Sequence, residues 1–76
     1  MSNVELFEKQ HENENYETLV KLKQELLNKV ALIESNQFKP NKKDRTTIGE
    51  IYENALNCIA ALTPMMDKKF YQEYLK

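Results

Sequence analysis

Apolar residues in this chain recur at three- and four-residue steps, and almost nothing interrupts them. Tyr16, Leu19, Val20, Leu26, Leu27, Val30 and Ile33 fall on one side of a helix turning about 100° per residue, spread over about half its circumference. Ile48, Ile51, Tyr52, Ala55, Leu56, Ile59 and Leu62 repeat the pattern downstream. One Gly and two Pro in 76 residues leave few places where such a chain can turn. The fold class that follows is all-α, helix packed on helix.

Punctuation then divides a single domain, 1–76, into segments. Residues 1–14 read as a short N-terminal helix and linker, with Ser2 and Glu5 as a capping box and Val4, Leu6, Phe7 and Gln10 forming an amphipathic turn or two. Asn13 or Asn15 caps the main helix, 15–37. A basic loop, 38–46, follows around Pro40, which disfavours helix at Lys39. Thr47 and Glu50 make a second capping box and open a helix over 47–62; Gly49 in its first turn suits a close backbone approach. Thr63-Pro64 reads as a cap followed by Pro at the first helical position, opening a C-terminal helix over 63–75. The alternative is one helix kinked at Pro64.

The architecture expected is an antiparallel helical hairpin, 15–37 against 47–62, with short N- and C-terminal helices across it. That makes a small bundle of three to four helices. Its stability is the difficulty. At about 25 cal/mol per Å² of apolar burial, against about 1.5 kcal/mol per ordered residue, chains this short come out near zero unless stapled. A lone cysteine, Cys58, makes no internal disulfide. Dimerisation is the remaining common staple, so a homodimer or a subunit of a larger assembly is expected.

The same residues narrow the function classes. No apolar run approaches the roughly 20 residues of a membrane span, and the first residues do not read as a signal peptide, so a soluble, cytoplasmic chain with no membrane partner is expected. His11 and Cys58 are single representatives of their types, too few for a zinc tetrad. A Cys–His dyad would also need an orienting group and a dry pocket. With one Gly there is no phosphate-cradling loop. Neither enzyme activity, metal nor cofactor is expected, and carboxylate pairs such as Glu5 with Glu8 or Glu50 with Glu53 read as solvated faces.

Charge is separated along the chain: −4 over 1–20, +4 over 21–46 and −1 over 47–76, within a total of −1. The basic stretch gathers Lys39, Lys42, Lys43 and Arg45 before the helix start at Thr47, a place where anions are attracted. These four are the candidate anion- or nucleic-acid-binding residues. Nucleic acid is the minor reading, because a near-neutral total lacks the usual basic footprint. A further alternative is an acidic nucleic-acid mimic built on the five Glu of residues 1–20. The favoured reading is a small non-enzymatic helical protein acting by protein–protein contact, as an adaptor, regulator or inhibitor. Candidate contact residues are Phe7, Met66, Phe70, Tyr71 and Tyr74, since Met and aromatic side chains are common at interfaces. The abundance of Asn, Lys, Glu and Ile is what AT-rich codons favour, which suits a low-GC bacterium or its phage.

Overall fold

Local capping decides where each helix begins and ends. The structure, a computed structural model, describes residues 3–39 and 47–75. The Ser2 half of the first capping box and the basic residues Lys42, Lys43 and Arg45 lie outside them. Helix α1 spans Asn3–His11 and closes in a turn where Glu14 N–H donates to the His11 carbonyl at 3.1 Å. Helix α2, Tyr16–Glu34, starts at Asn15, whose Oδ1 accepts from Thr18 N–H at 2.8 Å. Helix α3 starts at Ile48 behind Thr47, whose Oγ1 accepts from Glu50 N–H at 3.2 Å. Each cap satisfies a backbone donor that the first turn leaves orphaned.

The end of α2 lies three residues before the expected Gln37, and the reason is a Schellman motif. Asn36 takes φ of 59°, in the left-handed region. Asn36 N–H then donates to the Ile33 carbonyl at 3.1 Å and Gln37 N–H to the Leu32 carbonyl at 2.8 Å. Asn tolerates this conformation better than most residues and here fills the position usually given to Gly.

The larger correction concerns Pro64. No separate C-terminal helix begins there: α3 runs unbroken from Ile48 to Phe70, and a single π-helical turn, Tyr71–Leu75, continues it. Pro64 supplies no N–H to the Ala60 carbonyl, but both residues are exposed, so water can serve that carbonyl instead. Thr63 does not cap; its hydroxyl donates backward to the Ile59 carbonyl at 3.5 Å, as threonines inside helices do. Leu62 before the proline is fully buried, and Met65 and Met66 after it are half-buried. The apolar face therefore crosses Pro64 without interruption, and packing overrides local propensity. Gly49 differs too. Its φ is not positive, and an added Cβ would meet only Thr47 Oγ1, at 3.9 Å, so no close approach requires it.

The described chain is all-α: three helices packed together, with no strand. Helix α3 is the centre, packed against α2 along its length and against α1. The first residue of α2 lies beside the end of α3, and Lys29, late in α2, acts electrostatically on Cys58 in mid-α3, so α2 and α3 run antiparallel. Leu19, Val30, Ala55 and Leu62 form the buried core. Each fully buried leucine contributes roughly 1.5–3 kcal/mol.

That core is thin because the molecule is flat. Its extents are 45 × 28 × 16 Å, so the three helices make an elongated, shallow packing rather than a sphere. The radius of gyration is 13.8 Å, where a compact chain of this length has about 11 Å. Several members of the two stripes consequently remain exposed: Val20 and Leu27 on α2, Ile48 and Leu56 on α3.

Candidate functional site: an aromatic corner and an open helical face

Antiparallel packing brings the start of α2 to the end of α3, and four side chains meet there. The Tyr16 ring lies 5.2 Å from Phe70 and 5.8 Å from Tyr74, and Phe70 lies 5.2 Å from Tyr74. The Tyr16–Tyr74 pair is edge-on, at 83°. These separations are within the range of favourable aromatic pairs, which add about 0.5–1.5 kcal/mol beyond area. Glu73, between the two C-terminal tyrosines, accepts a hydrogen bond from Tyr16 N–H at 2.8 Å through Oε2. A carboxylate at the positive end of α2 satisfies one more orphan donor and is favoured by the helix dipole.

The π turn therefore caps α2 from 57 residues away. It is held by that bond and by stacking, yet it projects apolar surface outward. Tyr71 is 62% exposed, Tyr74 60% and Leu75 61%. Of the three, Tyr74 is held by its ring contacts with Tyr16 and Phe70, and a side chain held in place needs little further ordering to bind a partner.

The other candidate contact residues fall in different places. Met66 is half-buried on α3, one turn before Phe70. Phe7 is half-buried on α1, where its ring lies 4.7 Å from His11 rather than in the aromatic corner. His11 ends α1, with Nδ1 2.9 Å from Glu14 Oε1 without hydrogen-bond alignment. Lys39 is exposed.

A cleft of about 340 Å³ lies between α1, the start of α2 and the end of α3. Glu8 and Glu12 line it from one side, Lys68 and Lys69 from the other, with Leu19 and Met65 at its floor. Mixed charge and an open mouth make it a solvated seam between packed helices. Cys58 is half-buried; burial pushes its thiol above the ordinary pKa, and nearby Lys29 offsets part of that. An activated nucleophile needs the opposite shift. Among the described residues, no three His, Cys, Asp or Glu side chains gather as metal ligands, and no helix is long and apolar enough to cross a membrane.

Comparison with known proteins adds no relative: no family model, curated protein or solved structure matches the chain significantly.

Reading the sequence segment by segment missed the pairing of Tyr16 and Glu73. The signal was present in register. Once α3 is carried through Pro64, an antiparallel hairpin sets residue 16 opposite the low seventies, where three of the four tyrosine-corner partners stand. Treating Pro64 as a break hid this.

Proposed function

We propose that this protein works by protein–protein contact rather than by turnover, presenting the aromatic corner and the adjoining open side of the α2–α3 hairpin to another polypeptide. The observation that carries the reading is Tyr71, Tyr74 and Leu75 at about three-fifths exposure at the end of a fold that buries four apolar side chains among the described residues. Aromatic anchors of this kind dominate binding energy at interfaces. Completion of the thin fold by dimerisation belongs to the same reading, since Val20, Leu27 and Leu56 stay exposed on the hairpin. An adaptor or inhibitor needs such a surface and no catalytic group.

Site-specific photo-crosslinking tests it. A benzophenone side chain placed at Tyr71 or Leu75 is expected to give a discrete covalent adduct in the native host. The same probe at Glu25, exposed on α2, is expected to give none. Equal labelling at all three positions, or at none, would remove the basis for the reading.

A further inference from the structure

We infer that α1 is a hinged strap: it opens as a unit on the link 12–15 and uncovers the cleft beneath it, while the α2–α3 hairpin stays folded. The inference concerns α1 and its hinge alone, and it holds whether or not the aromatic corner binds a partner.

Burial is shallow along α1. Val4, Phe7 and His11, at i, i+3 and i+7, are half-buried, and residues 5, 6 and 8–10 are exposed, Leu6 at 45%. The helix has nine residues, fewer than the roughly 12–15 at which an isolated helix becomes even marginal in water. It is therefore helical only while it rests on α3. Docking and helix formation in α1 are one event, which makes its opening all-or-none rather than a gradual fraying from one end.

The hinge carries a cost that opening removes. His11 Nδ1 and Glu14 Oε2 are buried without a hydrogen-bond partner, and among the described residues they are the side-chain polar atoms in that state. Both belong to the turn in which Glu14 N–H donates to the His11 carbonyl. Unpartnered buried polar atoms are costly, and water reaches these two once the turn opens.

Opposite charges face each other across the cleft. Glu8 and Glu12 line one wall, Lys68 and Lys69 the other. Among the described residues no ion pair joins the two walls, so the attraction acts across a gap and favours closure without locking it. When α1 leaves, Leu19 and Met65 at the cleft floor meet water. Gln72 of the π turn lines the same cleft, so the uncovered surface runs on to the aromatic corner.

Amide hydrogen exchange of the full chain, followed residue by residue by NMR, tests the strap. Residues 7–11 supply the intrahelical N–H donors of α1, and Val30 and Ala55 report the buried core. The amides of 7–11 are expected to share one opening equilibrium, at least about tenfold more open than that of Val30 and Ala55. Lys68→Glu with Lys69→Glu is expected to shift the shared value at least about threefold further toward open and to leave the core amides unchanged. Adding Glu8→Lys and Glu12→Lys is expected to restore it. Circular dichroism accompanies each variant. If the charge-reversed chain loses helicity, raising the salt on wild type from about 0.01 M to about 1 M asks the same question, since it screens the attraction. Exchange of 7–11 with the same equilibrium as Val30 and Ala55 would overturn the strap. A graded rise in opening from residue 11 to residue 7 would overturn it too, because that is fraying. Opening of α1 that ignores both charge reversal and salt would overturn the role given to the facing charges.

Discussion

Replacing Pro64 with alanine separates two structures that differ in where a helix begins. In the continuous α3, Pro64 lies far inside the helix and its ring nitrogen gives the Ala60 carbonyl no hydrogen bond. Alanine restores that bond at an exposed site where little packing is lost. The full propensity difference between Pro and Ala inside a helix is about 3 kcal/mol. Water at the exposed carbonyl offsets part of it, and alanine also returns freedom to the unfolded chain, worth about 0.4–1 kcal/mol. A net stabilisation of about 1–2 kcal/mol remains, raising the melting temperature by roughly 4–16 °C for a chain of this size. Thermal and urea melts followed by circular dichroism at 222 nm read it directly. Were Pro64 instead the first residue of a separate helix, it would be favourably placed, and alanine would lower the melting temperature. Thr63→Ala sharpens the contrast, because loss of an N-cap costs typically about 1 kcal/mol, whereas loss of a backward bond to Ile59 is neutral or slightly stabilising. A fall in stability for both variants would refute the continuous helix.

Three other substitutions test separate parts of the account. Asn36→Gly is expected to stabilise by about 0.5–1 kcal/mol and Asn36→Ala to destabilise by a similar amount, since only the left-handed φ distinguishes them; denaturant midpoints decide. Glu73→Ala removes the bond to Tyr16 N–H and should cost about 0.5–1.5 kcal/mol, an effect that Glu73→Gln partly restores in the same melts. Cys58 should alkylate more slowly than an exposed thiol, because its folded pKa is raised by burial, with Lys29 offsetting part. The unfolded chain then ionises first. Its contribution to stability is complete below the ordinary thiol pKa and is lost as pH rises through about 9 toward the folded value. Urea midpoints of wild type and Cys58→Ala should therefore converge or cross above that pH; a constant difference from neutral to alkaline pH would contradict the burial.

What was legible beforehand was chiefly local. Asn15 and Thr47 are short polar residues placed just before apolar periodicity, and each accepts the backbone bond its position calls for. Leu19, Val30, Ala55 and Leu62 sit at the centres of their stripes, and all four are buried. The misreadings came where tertiary packing competes with a local signal. Pro64 carries a strong breaker signal, but Leu62, Met65 and Met66 on either side share one packed face. Asn36 carries almost no signal, because few side chains announce a left-handed φ other than glycine. The exposure of Val20, Leu27 and Leu56 could not be read from periodicity alone: a stripe shows which way a helix faces, not how many neighbours arrive to cover it.

The most direct measurement is the thermal melt of the unmodified chain across a hundredfold range of protein concentration. If a second copy covers the open face, the melting temperature rises by several degrees from the dilute to the concentrated end, because association is coupled to folding. A cooperative transition at one temperature throughout that range would mean that these three helices are stable by themselves.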